Sequence, residues 1–439
     1  MQTGPFHHLS TLNYQPWSTV PSWKPGSTYF DLELLALGLV MSESFESFVH
    51  DRYELLKDRL QSVSSFLWSH PELSGEEYRA HDLLSAILEG AGFDVTRQYL
   101  GFPTAFRADH ESTTGGPRIC IVCEYDALPD VGHACGHNLI AEAGIGAALV
   151  IKEYLENNPK PGKITVLGCP AEEKGSYKVL MIEKGAFKGL DLVMQVHPHS
   201  SSDGKFFFVK LRASLIGKIG FLAEFTGKPA HAAGAPWEGH NALDAVVATY
   251  QALSMLRQQM HPTCRIHAII PHGGTSANVI PEFASIEVIV RAPTLPHLKT
   301  ITEKAENCAR AAAISSNTVL KILKPSPSLL PLKSNGVLAG LYQRYAEDMG
   351  TEFVDITGRG TRFEASSDIG SVSWELPTIQ PGFHIDSEGP NHSREFTVAS
   401  GCESAQPPTI RASKAMALTA LNIINNPPLV DSMWQEMKK

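Results

Sequence analysis

The sequence has no long hydrophobic run and few cysteines for its length. No stretch of the 439 residues approaches the roughly 20 consecutive apolar residues that span a bilayer, which excludes a membrane bundle. The seven cysteines are scattered, unlike the dense disulfide framework of a small secreted domain. The N-terminus also lacks a basic region followed by an apolar run, the pattern of a secretion signal. These absences predict a cytoplasmic protein.

Positive charge is scarce as well. The 37 Lys and Arg residues are outnumbered by 46 Asp and Glu residues, and the net charge of -9 argues against a nucleic-acid partner. No repeat with a period of 20 to 50 residues indicates a solenoid. With 43% hydrophobic and 19% charged residues, the chain has the composition of a globular protein, and its length predicts two domains.

The order of hydrophobic patterns predicts an α/β fold with an insertion. Residues 1–43 show no sustained period and are interpreted as an irregular arm. From residue 44, helical patterns separate the strand-like runs RICIVCEYDAL, KITVLGCP and LDLVMQVHP, which is typical of a mostly parallel central sheet with flanking helices. Residues 206–325 follow the strand-helix-strand-strand-helix-strand order of a ferredoxin-like α+β module. One domain is therefore expected from 44–205 and 326–439, interrupted by this module.

Side chains of the kinds that bind metals follow each of the three parallel strands. They are Asp126, Cys135 and His137 after the first strand, Glu172 and Glu173 after the second, and His197 after the third. Because the carboxyl ends of parallel strands share one edge of a sheet, these residues are expected to meet there. Thiolate and imidazole ligands suit a zinc-like ion. The sequence therefore predicts a metal site at this edge.

Other candidates carry weaker signals. One of the neighbouring residues Glu172 and Glu173 can bind a metal while the other faces the substrate water. Without a metal, they could equally be a solvated surface pair. His392, in PNHSREF, completes the set from the far end of the chain. His199 has no argument comparable to the proline that follows His197, and it is expected to face solvent.

The inserted module contributes three further candidates, His231, Asn278 and Arg291. Their spacing alone favours a turn histidine, a turn-capping asparagine and a surface cation.

Several strings resemble those of the peptidase M-20 family of metal-dependent amidohydrolases. They are EYDALPDVGHACGHNLIAEAG, ITVLGCPAEEKG, KPAHAAGAPWEGHNALDA, LRQQMHPT, GGTSANVIP and PNHSREF. The resemblance covers roughly residues 44 to 425, and Asn138, where related amide hydrolases have aspartate, favours the dipeptidase-like branch. It implies a di-metal exopeptidase-like catalytic domain, with residues 206–325 as a lid and dimerisation domain.

The resemblance also implies a role for each candidate residue in the catalytic domain. The metal ligands would be Cys135, His137, Glu173, His197 and His392, and they would hold two divalent ions, zinc first and manganese or cobalt as alternatives. Glu172 would be the general base, and Asp126 would orient a ligand. His133 and Asp368 are weaker supporting candidates.

In the lid, the resemblance implies that His231 reaches the partner subunit's active site in a homodimer and stabilises the oxyanion. Asn278 and Arg291 would hold the carboxylate of a small-molecule substrate. The implied reaction is hydrolysis of a dipeptide or N-acyl amino acid by a metal-activated water, at the amide beside a free carboxylate. The alternatives are an amide-forming or amide-exchanging biosynthetic enzyme that uses the same metal site, and a non-catalytic scaffold that retains the fold.

Overall fold

The computed structural model describes residues 44–200, 215–353 and 365–438. The arm expected over 1–43 lies outside the described residues. We call residues 44–200 and 326–438 the body, and residues 215–325 the lid. In the described ranges, no helix combines the length and the apolar character that crossing a bilayer requires.

The body alternates helices and strands in the order that the sequence predicts. Its first part contains α1 Phe45–Ser69, α2 Tyr78–Gly90, β1 Asp94–Arg97, β2 Phe106–Cys123, α3 His137–Asn157, β3 Pro161–Gly168, α4 Glu172–Gly175, α5 Tyr177–Glu183, β4 Leu192–Met194 and β5 His197–His199. After the lid come α8 Gly336–Asp348, α9 Ile369–Val372, β10 Thr378–Ile379, β11 Gly382–His384, α10 Arg394–Ser400, α11 Gln406–Asn425 and α12 Pro428–Met437.

The central sheet is mostly parallel. The second half of β2 runs parallel to both β3 and β4, and β4 runs parallel to β10. The first half of β2 folds back on β3, because its partners descend from Gly168 to Pro161. The reversal lies at Gly115 and Gly116, both with positive φ, a conformation that glycine adopts without strain. The predicted fold class is therefore confirmed, with this returning half-strand and β1 as antiparallel additions.

Helices cover both faces of the central sheet. On one face, α1, α3, α8 and α11 bury one hydrophobic cluster, which includes Cys123. Cys120 belongs to a separate cluster with residues of α5 and α9 on the other face. The two thiols point to opposite faces, as expected from their odd spacing in a strand. All seven cysteines are free thiols.

The lid follows the predicted ferredoxin-like order. Its elements are β6 Gly217–Thr226, α6 Ala242–Leu256, β7 Arg265–His272, β8 Phe283–Ala292, α7 Leu295–Ser316 and β9 Val319–Leu323. The strands are antiparallel in the order β7-β8-β6-β9. Along β8, side chains alternate between a core shared with α6 and α7 and an opposite face that carries Glu287, Ile289 and Arg291. The lid therefore has its own hydrophobic core and one sheet face without helices.

Candidate active site

The metal-type side chains converge at the carboxyl edge of the parallel strands, as the sequence predicts. Asp126 follows the end of β2, Glu172 and Glu173 open the short helix α4 after β3, and His197 begins β5 just beyond β4. Because β2, β3 and β4 run in the same direction there, their ends lie side by side.

Ligand atoms form two adjacent groups that share one thiolate. Atoms of Cys135, His137 and His197 lie within 4.8 Å of one another, and so do atoms of Cys135, Glu173 and His392. Cys135 Sγ is 3.5 Å from His197 Nε2, and Glu173 Oε1 is 3.4 Å from His392 Nε2. The arrangement offers two neighbouring positions for ions.

The donors fit divalent metal ions chemically. His137 Nε2 and Glu173 Oε1 are buried without a hydrogen-bond partner, although buried polar atoms rarely stay unsatisfied. Burial and the nearby His137 lower the pKa of His197 to about 3, so its imidazole is neutral, the form that binds metals. Sulfur, nitrogen and carboxylate donors together are typical of zinc sites.

Gly136 allows this close packing. It has φ +79°, and a Cβ there would lie 2.4 Å from Pro198 Cγ. The proline that follows His197 therefore packs directly against the turn between Cys135 and His137. His137 is the first residue of α3, so a rigid buried helix fixes its ring.

Asp126 orients two of the candidate ligands. Its Oδ1 lies 2.9 Å from His137 Nδ1, and its Oδ2 accepts hydrogen bonds from Ser74 Oγ at 2.7 Å and Glu173 N at 3.0 Å. Donation from Nδ1 leaves the Nε2 lone pair free to face an ion. Burial alone raises the pKa of Asp126, but His137 and the hydrogen bonds lower it to about 2, so the carboxylate stays ionised.

Glu77 fixes the turn that aims Glu172 and Glu173, a role that the sequence did not suggest. Ala171 has φ +56°, which is unfavourable for a residue other than glycine. Its N–H donates to Glu77 Oε1 at 2.8 Å. Oε1 also accepts from Gly75 N, and Oε2 accepts from Thr104 Oγ1. Burial, followed by the negative charge of Asp126, raises the pKa of Glu77 to about 7.

Glu172 borders a cluster of buried charged side chains. Of the cluster's other members, the sequence analysis named only Asp368. Lys178 Nζ lies 2.5 Å from Glu124 Oε1 and 2.6 Å from Asp368 Oδ1, and all three side chains are buried. Carboxylate oxygens of Glu124, Glu172 and Asp368 lie within 4.8 Å of one another. Burial, followed by the charges of Glu124 and Asp368, raises the pKa of Glu172 well above its ordinary value. Glu124 follows directly after β2, where a sequence-based search for acids at strand ends could have found it, whereas Lys178 carried no sequence signal.

His199 differs from its sequence-based expectation. It is half-buried, and its ring stacks on His197 with centroids 4.9 Å apart, so the expected solvent-facing position is wrong. Gly382 allows this packing, because a Cβ there would lie 2.6 Å from the His199 ring. The weaker candidates His133 and Asp368 are both buried beside the site.

The lid residues stand apart from the metal donors. His231 is exposed, and its Nδ1 accepts hydrogen bonds from Ala233 N and Gly234 N, which places the proton on Nε2. The backbone of Asn278 pairs with this same turn through Ala232 N. Arg291 instead reaches the body, where its Nη1 donates to Ser366 Oγ at 2.9 Å. In the described part of the chain, His231 is not among the residues grouped around the metal positions.

Comparison with known proteins identifies relatives over most of the chain. Residues 214–317 match a peptidase dimerisation domain of the M20 type. The chain is 40% identical to the Xaa-Arg dipeptidase of Mus musculus over 398 residues, which cover 88% of this chain and 91% of the relative. It is 27% identical to one of the subunits of the p-aminobenzoyl-glutamate hydrolase of Escherichia coli, covering 89% and 94%. A dinuclear metal-binding peptidase of the M20 family from Bacillus subtilis has the same fold, with a TM-score of 0.63 and 20% identity over 85% of this chain and 99% of that one.

Proposed function

The chain belongs to the peptidase M20 family, and from that premise we propose how its residues cleave the amide bond of a dipeptide or N-acyl amino acid beside a free carboxylate. It is a metallo-amidohydrolase. The observation that carries the mechanism is that His137 Nε2 and Glu173 Oε1 are buried without a hydrogen-bond partner, with Glu172 beside them.

Two divalent ions would be held by the two ligand groups that share Cys135. The ligands are Cys135, His137, Glu173, His197 and His392. We propose zinc because a thiolate is central to both groups, with manganese or cobalt as alternatives that the carboxylate and imidazoles would also accept. When bound, the ions supply an acidified water and polarise the scissile carbonyl.

Glu172 is the proposed general base. Its carboxylate lies between the metal ligands and the buried acids Glu124 and Asp368, and burial and these charges raise its pKa, which favours uptake of a proton. Glu172 takes the proton from the attacking water and delivers it to the leaving amine. Asp126 keeps His137 and Glu173 oriented throughout.

The lid is proposed to form a homodimer and to extend over residues 206–325. The match to a dimerisation domain supports this assembly. Within the described residues, the Nε2–H of His231 has no hydrogen-bond acceptor, so it is available to a developing oxyanion, and its exposed position suits an active site on the partner subunit. Asn278 shares the same turn, and Arg291 is proposed to bind the substrate carboxylate. Free thiols at all seven cysteines favour a reducing compartment such as the cytoplasm.

The substrate class is tested with the zinc-loaded protein and a panel of dipeptides, N-acyl amino acids and their C-terminal amides. Hydrolysis of free acids in preference to amides is expected. If zinc, manganese and cobalt forms all leave every member of the panel intact, the proposed function is wrong.

The assembly is tested by mixing two inactive variants, Glu172→Gln and His231→Ala. A heterodimer has one site with both a wild-type base and a wild-type lid histidine, so activity should return to about half that of the wild-type dimer if His231 acts across the interface. Verified heterodimers that stay as inactive as either parent would show that His231 does not act on the partner subunit.

A further inference from the structure

Two cations lie side by side on the lid face that has no helices. Lys218 in β6 and Arg291 in β8 are directly opposite each other in the antiparallel register, and both are half-buried. Arg265 in β7 is opposite Arg291 on its other side, but its guanidinium donates to the carbonyl of Cys264. Like charges in directly opposite positions destabilise a sheet. The position of Lys218 opposite Arg291 is therefore expected to cost stability, which suggests that it serves binding.

Neither cation has a counter-ion. In the described ranges, no carboxylate forms an ion pair with Lys218 or Arg291, and the side-chain hydrogen bond of Arg291 goes to the neutral Ser366. Partial desolvation of a charge without a partner costs free energy. Among the described residues, none supplies an anion to this pair, so the pair is suited to binding an anionic ligand.

The pair borders the catalytic carboxylates. Ile216 N donates to Ala365 O at 2.9 Å, and Arg291 binds Ser366, so this end of the lid sheet contacts the segment that leads to Asp368. The pKa of Lys218 is lowered, chiefly by burial and then by the charge of Arg291. The negative charges of Glu172, Asp368 and Glu173 act in the opposite direction and raise it. Lys218 is therefore within electrostatic reach of the active site without forming an ion pair there.

The backbone of Lys218 is held rigidly. Its N–H and C=O both form 2.8 Å hydrogen bonds with Leu329, on the side opposite β8. Lys218 thus lies between two bonded strands where the chain returns from the lid to the body. Such a fixed position is suited to a binding residue, since little ordering is needed when a ligand arrives.

We propose that Lys218 is a specificity-determining residue that binds the substrate's free carboxylate together with Arg291. Arg291 would bind both carboxylate oxygens through its planar fork, and the ammonium of Lys218 would donate to a remaining lone pair. The assignment rests on the proposed function, because the carboxylate is the one beside the cleaved amide. If both cations bind the carboxylate, the preference of the enzyme for a free-acid substrate over its C-terminal amide depends on both Lys218 and Arg291.

The test compares a free-acid dipeptide with its C-terminal carboxamide in the zinc-loaded protein. Lys218→Met should lower kcat/KM for the acid by about tenfold to a hundredfold, the range of a charged hydrogen bond, and should leave the amide unchanged. Lys218→Arg should keep most of the activity on the acid. Lys321→Met is the matched control, since Lys321 pairs with Glu224 on the same sheet face. It lies about 20 Å further along the strands, at roughly 3.3 Å per residue.

A binding measurement keeps the assignment testable without turnover. A reduced-amide dipeptide and its carboxamide should bind wild-type protein with different Kd values, and this difference should disappear in Lys218→Met. An equal loss of activity on acid and amide would instead mean that Lys218 acts only on the catalytic carboxylates, and would overturn the proposal. Unchanged acid preference would overturn it as well. If no substrate is cleaved but the Kd difference depends on Lys218, the proposed reaction fails and the carboxylate site stands.

Discussion

Fully buried charged side chains occur in the body but not in the described part of the lid. The body buries Glu77, Glu124, Glu142, Lys178 and Asp368, all with almost no exposed surface. In the described part of the lid, the buried polar residues are the uncharged Thr249, Ser285 and Thr302. Each region has its own cluster of buried apolar side chains. The two regions differ in whether charged side chains are buried as well.

We attribute this difference in buried charge to the functions proposed for the body and the lid. General acid-base chemistry and metal binding require carboxylates and imidazoles to be held away from water, where charges interact strongly. The lid is proposed only to hold substrate-contacting residues such as His231 and Arg291 on a stable sheet, which requires no buried charge. The body therefore buries charged side chains at a cost in desolvation, whereas the described part of the lid buries only uncharged ones.

The largest effect is expected at Glu172. Glu172→Gln preserves the shape of the side chain but removes the base, so turnover should fall by about 100-fold or more while bound metal is retained. Metal content and rate are measured on the same sample. Activity above about a tenth of wild type would show that proton transfer by Glu172 is not limiting.

Breaking the buried charge cluster should reduce stability next most strongly. Lys178→Met leaves Glu124 and Asp368 without their cation, and removing one partner of such a buried group costs about 3–5 kcal/mol. The matched control is Arg310→Met in the lid, which breaks an exposed pair with Glu306 and should cost less than about 1 kcal/mol. Tm values of the two variants are compared. Similar losses would remove the contrast between the regions.

The pH dependence of stability should also differ between the regions. Burial raises the pKa of Glu142 to about 7 from an unfolded value near 4.5, so its stabilising contribution is complete below about 4.5 and is lost as pH rises through about 7. Glu142→Gln should therefore match wild type at pH 5 and exceed it by about 2–3 kcal/mol at pH 8.5.

The control is Glu303→Gln at an exposed position of the lid. At each of the two pH values, the Tm of this variant should be nearly the same as that of wild type. A pH-independent difference between Glu142→Gln and wild type would contradict the prediction. Since all three proteins keep the same metal ligands, metal loss at low pH affects them equally.

The smallest effect is expected in thiol labelling. If Cys135 is a metal ligand, chelation should accelerate its labelling severalfold, because the ligated thiolate is protected. The exposed Cys402 is the internal control and should react equally in both states. Identical labelling of Cys135 before and after chelation would argue against ligation.

The order of elements and the convergence of the candidate metal donors could be predicted from the amino-acid sequence alone. Strand and helix periods are local, and the donors follow directly after predicted strands, so their meeting at one sheet edge could be inferred from Cys135, His137, Glu173 and His197. The ferredoxin-like order of the lid was readable for the same reason. The resemblance to a family added the roles of the lid residues His231, Asn278 and Arg291, which their spacing alone did not support.

The charges that support that site depend instead on long-range packing. Lys178 meets Asp368 across 190 positions of the chain, Glu77 meets Ala171 across 94, and Lys218 faces Arg291 only through the register of two antiparallel strands. No local pattern encodes such contacts. They depend on how distant segments pack, and a buried charge is stable only where the folded chain supplies its partner.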